Sequence, residues 1–164
     1  VYKRQEIAIL KIKRKNMRFH ARFSAKERLY KYVIFNQLSK PILQNKRGWF
    51  VIKNLELEIM KKAAKKLIGT HDFSTFRASG CNAKSPIRSI KSIKIKKTKN
   101  KIELEFRSQS FLKQQVRSMV GCLKYIGEKK WTLKKFTSVI KSKNRNLCAP
   151  PAPAEGLFLK KVLY

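Results

Sequence analysis

The sequence predicts an α+β fold, a largely antiparallel sheet with helices packed on one face. Three observations carry that expectation. Residues 101–107 alternate cleanly, with Ile102, Leu104 and Phe106 on one side, as a half-buried strand does. Residues 55–67 and 110–126 instead repeat their apolar positions every three or four residues, the period of a helix with one buried face. The two patterns interleave along 164 residues without an internal repeat, a length that supports one ordinary core.

Residues 6–14 open the series as a half-exposed strand, Leu10 and Ile12 set against Lys11 and Lys13. Residues 28–36 read as a second strand, rich in aromatic and β-branched side chains. Residues 37–54, with Pro41 and Gly48, read as a connector. The first helix follows, capped by Asn54, with Glu56 and Glu58 in its first turn, lysines in its last and Gly69 after its end. Its stripe is Leu55, Ile59, Met60, Ala63 and Leu67, wide enough to cover a sheet. Residues 88–96 and 101–107 form a hairpin whose first strand changes phase between Ile90 and Ile93, the sign of a bulge. A central helix spans 110–126, with Leu112, Val116, Met119, Val120, Leu123 and Ile126 on one face. Another runs through Leu133, Phe136, Val139 and Ile140. The prolines of CAPPAPAEG (148–156) exclude both ladder and helix, and residues 157–163 make a closing strand.

Forty-one Lys and Arg against nine Asp and Glu give a net charge of +32, so the partner is a polyanion. A membrane is the poorer candidate, because no run of about 18 apolar residues occurs and no charged-then-apolar leader opens the chain. RNA is the better one. Cys81, Cys122 and Cys148 are odd in number and, with only His20 and His71 beside them, lack zinc-site spacing. They read as reduced, mostly buried thiols of a cytoplasmic protein, and no metal is expected.

The segment FHARFSAKERLYKY (19–32) is the most informative. Tyr30 and Tyr32, two residues apart on a strand, share a face. They read either as a platform on which a base stacks beside phosphate-binding cations, or as the half-buried face of a sheet with a solvated basic edge. Its wording, with GTHDFSTFRASGCNAKSPIR (69–88), SFLKQQVRSMVG (110–121) and APAEGLFLKKVLY (152–164) following in order, resembles the tRNA pseudouridine synthase A family. The family's catalytic aspartate lies in a GRTDAGVHA-like block well before the FHARFSA-like one, whereas eighteen residues precede Phe19 here. Asp72, the one aspartate, stands in a different context and reads as a turn cap. The resemblance is therefore to the C-terminal part of such an enzyme. Residues 6–36 would be strands from the junction with the missing lobe and 55–164 the C-terminal lobe. Residues 1–5 read either as a non-native leader or as the cut end of a strand.

The resemblance implies a cofactor-free isomerase that turns uridine into pseudouridine in the tRNA anticodon stem and loop, with homodimers as the family's usual state. It implies that the nucleophile is absent and that the fragment alone is inactive. By itself Arg117, at the margin of the apolar stripe with Gly121 one turn on, reads as a snorkelling arginine. The resemblance makes it the partner that keeps the catalytic aspartate ionised. It likewise makes Tyr30 the ring that contacts the uracil, where Tyr32 is sheet packing, and Leu157, by spacing a core residue, a wall of the uridine pocket. His20, Arg22, Arg28, Lys84 and Arg88 are candidate phosphate contacts, though each singly reads as solvated surface. Gln114 and Gln115 can hydrogen-bond but not titrate. The rival reading is a non-catalytic basic RNA-binding module.

Either reading makes RNA affinity steeply salt-dependent. Plotted as log K against log salt, binding to single-stranded RNA should fall by about 0.7 for each phosphate neutralised. A flat plot from titrations at several salt concentrations would remove RNA as the partner.

Overall fold

The computed structural model describes residues 8–164. Six strands form one sheet: β1 (Glu27–Asn36), β2 (Trp49–Val51), β3 (Gly69–Asp72), β4 (Ile87–Thr98), β5 (Lys101–Ser108) and β6 (Leu157–Leu163). Three α-helices accompany it: α1 (Leu57–Lys65), α2 (Gln115–Gly127) and α3 (Leu133–Lys141). The expected α+β class holds. Every pairing is antiparallel except that of β1 with β2.

The strand order is β2-β1-β5-β4-β3, with β6 also on β1. One edge of β1 is taken by β5 along almost its whole length. The other is divided, β6 pairing Glu27–Tyr32 and β2 pairing Ile34–Asn36. Tyr32, Ile34, Ile102, Leu104 and Phe106 are fully buried in one cluster with Met60 of α1 and Met119 of α2. Fully burying an aliphatic or aromatic side chain contributes about 1.5–3 kcal/mol, so this layer sets where the helices lie. The opposite face is polar except at Val33 and Phe35, which are buried there beside Gly48. There Lys31 and Lys101 reach Glu103 at 3.5 and 2.6 Å, and Lys160 pairs with Glu105.

The expected bulge is present, with a register shift between Ile90 and Ser92. The expected strand over 6–14 is not. Residues 8–14 have no regular structure, and Leu10 and Ile12 are 95% and 85% exposed. Their alternation meets no neighbouring backbone that could complete a ladder. Residues 1–7 lie outside the described residues.

Two helix starts also differ from expectation. Asn54 does not cap α1; Glu56 stands at that position in extended conformation, its N–H donating to the Gly127 carbonyl at 3.0 Å. The approach to α1 is held by buried Asn36, which donates to the Val51 and Lys53 carbonyls and accepts from the Leu55 N–H. α2 begins at Gln115, five residues later than the apolar spacing suggested. Gln114 sits in the left-handed region at φ 60°, and the Leu112 N–H donates to Gln115 Oε1 at 2.8 Å. That side-chain bond replaces the helical one and leaves 110–113 as a separate lip. Strands β2 and β3 were not expected, since three or four residues carry too little alternation to be read.

The proline segment runs back over α2, and its one regular piece is a 3-10 turn at Ala154–Gly156. A Cβ on Gly121 would overlap the Pro150 carbonyl oxygen, so close packing here requires glycine. Cys122, buried, and Cys148, half-buried, are free thiols with Sγ atoms 3.5 Å apart across this contact. Gly121→Ala must push the segment off the helix, a cost of about 1–3 kcal/mol. Thermal unfolding should show a midpoint lower by roughly 2–4 °C per kcal/mol. An unchanged midpoint would mean that 148–152 is not held on α2.

Candidate active site

The sheet face that carries Tyr32 also carries Tyr30 and Leu157. Tyr32 pairs with Leu157 and Tyr30 with Leu159, which makes Tyr30 and Leu157 diagonal neighbours on adjacent strands. Both line a cleft of about 970 Å³ between β1, the lip before α2 and the loop at 80–83. Phe111 of the lip meets the Tyr30 ring edge-on, centroids 5.3 Å apart and planes at 89°. An aromatic pair so placed leaves the half-buried Tyr30 ring fixed in orientation.

Cations ring this apolar wall. Arg22, Arg28, Arg88 and Lys113 line the cleft, and no carboxylate is among its described lining residues. Arg28 is partly committed, donating to the Arg22 and Gln109 carbonyls and so tying the 19–24 loop to the lip. Arg88 donates through Nη1 to the Ser85 and Ile87 carbonyls, leaving its buried Nε without a partner. The 80–83 loop is held by Arg77, whose Nη2 donates to the carbonyls of Cys81 and Ala83, both at 2.7 Å. The Lys113 backbone N–H, above other causes, holds the Cys81 thiol below its ordinary value.

The structure thus gathers Arg22, Arg28, Tyr30, Arg88 and Leu157 on one cleft and leaves His20, Lys84 and Arg117 off its wall. His20 is exposed and folded into its own loop, its Nδ1 accepting from the Arg22 N–H at 3.1 Å. Lys84 is exposed beyond the 80–83 loop. Arg117 is half-buried behind Val116, its Nε donating to the Ala152 carbonyl at 2.6 Å. Among the described residues it pairs with no carboxylate. Gly121 makes room for Pro150 and not for this arginine.

Tyr32 differs from Tyr30 as expected. Its ring is fully buried against Gly156, and its hydroxyl donates to the Pro153 carbonyl at 2.7 Å. Burial, opposed by the nearby Arg117 charge, raises its phenol above the ordinary value. Asp72 is a turn cap, its Oδ1 accepting from the Ser74 N–H at 2.9 Å and hydroxyl at 2.6 Å, with Lys143 at 3.5 Å. The hydrogen bond from the Ser74 hydroxyl, above other causes, keeps its carboxyl below the usual range. The sequence reading missed Arg77, Phe111 and the 80–83 loop. Gly80, at φ 65°, was the available sign of a built turn.

The profile of the tRNA pseudouridine synthase family matches residues 63–164. The chain belongs to that family. It is 66% identical over 158 residues to tRNA pseudouridine synthase A of Pelagibacter ubique, covering 96% of this chain and 64% of that protein. The Caulobacter vibrioides protein of the same name is 40% identical over 161 residues, covering 98% and 65%. That of Bartonella quintana is 41% identical over 160 residues, again covering 98% and 65%. The chain spans just under two thirds of the length of these relatives. Among the described residues no helix is long and apolar enough to cross a membrane.

Arg77→Met should free the 80–83 loop while leaving the sheet intact. Limited trypsin digestion followed by mass spectrometry should then find faster cutting after Lys84 without a matching change after Lys96 or Lys97 in β4. Equal rates at both places would mean that the loop does not depend on Arg77.

Proposed function

We propose that the protein carrying this chain isomerises uridine to pseudouridine in the anticodon stem and loop of tRNA, without a cofactor. One observation carries this reading: the four segments that bear the family's wording converge on one cleft. Tyr30 comes from the first, Cys81 and Arg88 from the second, Phe111 to Val116 from the third and Leu157 from the fourth. General RNA binding needs only a basic surface and would not require such convergence.

In the proposed reaction the C1′–N1 bond breaks, the uracil turns, and a C1′–C5 bond forms. C5 gives up its proton and N1 gains one, so composition is unchanged. Tyr30, edge-locked by Phe111, offers its ring to the base, and Leu157 closes the apolar side. Arg22, Arg28 and Arg88 meet the backbone phosphates at the rim, with His20 and Lys84 extending that track outward. An aspartate attacks early in the sequence, and we assign it to a part of the protein outside this sequence. Asp72 is unsuited, being committed to Ser74 and Lys143. Arg117 still has two guanidinium nitrogens beyond the Nε given to Ala152, a fork that suits an incoming carboxylate and favours its ionised form. A cytoplasmic homodimer acting on tRNA completes the reading.

The assay is tritium release from tRNA labelled at uridine C5. Residues 1–164 alone should give none, because a missing nucleophile removes the chemical step itself. In a full-length protein carrying this chain, Arg117→Met should abolish release with tRNA affinity nearly unchanged. Tyr30→Leu should cut release strongly and weaken binding by up to about a hundredfold, since base–aromatic stacking is worth about 1–3 kcal/mol. Tyr32→Leu should lower the melting temperature first. Release by 1–164 that vanishes in Asp72→Ala would place the nucleophile here instead. Neutral Arg117→Met, with both tyrosine variants alike, would leave only a basic RNA-binding module.

A further inference from the structure

We infer that Gln115 distinguishes uracil from cytosine in the cleft, an inference that rests on the uridine reading above. Gln115 is the first residue of α2 and lines the cleft beside Leu112 and Val116. It is 0% exposed, and its two amide atoms are in unlike situations. Oε1 accepts the Leu112 N–H at 2.8 Å, whereas buried Nε2 has no partner among the described residues. Buried donors are nearly always paired, so a lone one on a residue that lines a cleft points to a ligand acceptor.

Chemistry fixes which way this amide faces. Only its oxygen can accept from the Leu112 N–H, so turning the amide over would set one donor against another. The group left for the cleft is therefore always a donor with two hydrogens. Uracil carries a carbonyl oxygen at C4, where cytosine carries an amino group. A base on Tyr30 with that edge toward α2 places acceptor against donor if it is uracil and donor against donor if it is cytosine. The carbonyl at C2 is common to both bases and would not distinguish them. The first turn of α2 adds a positive dipole end, which favours an oxygen at the same place. Arg22, Arg28, Arg88 and Lys113 are donors too, but as full cations they are drawn to phosphate before any one base edge. Leu112, Val116, Phe111 and Leu157 make the wall beside it apolar, and a buried donor left unpaired is what gives such sites their selectivity.

The test uses a full-length protein carrying this chain and two anticodon stem-loop RNAs, identical except for uridine or cytidine at the target position. By fluorescence anisotropy the parent should favour uridine about tenfold, the scale of one buried hydrogen bond. Gln115→Met removes both amide functions and should bring the ratio near one. Gln115→Glu keeps an oxygen for Leu112 but turns an acceptor to the cleft, and should favour cytidine. A third RNA with 4-thiouridine at the target, whose sulfur is a weak acceptor, should bind the parent several-fold more weakly and needs no variant. A parent ratio of one with tritium release intact, an unchanged ratio in either folded variant, or full affinity for the thio RNA overturns the inference. Loss of the isomerase reading appears separately, as absent tritium release from a parent that still prefers uridine.

Discussion

The edge of β1 that is shared by β6 and β2 governs how the rest of the molecule is placed. β6 leaves that edge after Tyr32 and β2 takes it up at Ile34, so the proline segment must turn sharply where the two meet. Tyr32 fills that junction with its ring and fastens the turn by donating to Pro153. Gly156 is there because a Cβ would lie 2.6 Å from the Tyr32 Cζ. With this joint closed, Leu157 is delivered next to Tyr30, and α2, bound to the same segment through Arg117 and Gly121, is brought over the sheet. The cleft is a by-product of that packing.

Charge is distributed to match. The polar face of the sheet carries Glu103 and Glu105 among its lysines, which limits repulsion where no partner is needed. Exposed pairs of this kind each contribute about 0–1 kcal/mol, so they moderate the surface and do not hold the fold together. The cleft is built the other way, with four cations and no described carboxylate. There the four cations concentrate locally what the whole chain carries as a net charge of +32. Arg28 shows the compromise: its guanidinium ties two loops and so has less capacity for a ligand than Arg22.

Long elements were legible in the sequence because their periodicity is a direct record of burial. The β5 alternation, the α1 stripe and the phase change at Ile90 all correspond to the structure. What failed was decided by partners far along the chain. The alternation of 8–14 had no neighbour to pair with, and the start of α2 was set by one side-chain bond from Gln115 that spacing does not encode. At the site, the roles of Tyr30 and Leu157 were read through the family's wording, whereas Arg22 and Arg28 were already legible as cations beside the two tyrosines. Arg77 was missed because it binds carbonyls of its own loop, a role that leaves no pattern in the sequence.

The divided edge of β1 also has a kinetic meaning. The strand that covers residues 27–32, 157–163, is made more than a hundred residues after them. Pairing across so long a loop must absorb its closure entropy before any contact rewards it, which makes this the slow step of assembly. Until then β1 shows an open, apolar edge to other nascent chains, the situation in which strands pair wrongly. The hairpin of β4 and β5 needs no such wait, and the β5 edge can occupy one side of β1 first. The cleft would then be completed last, so a chain that is only partly made carries most of the positive charge before the Leu157 wall is in place.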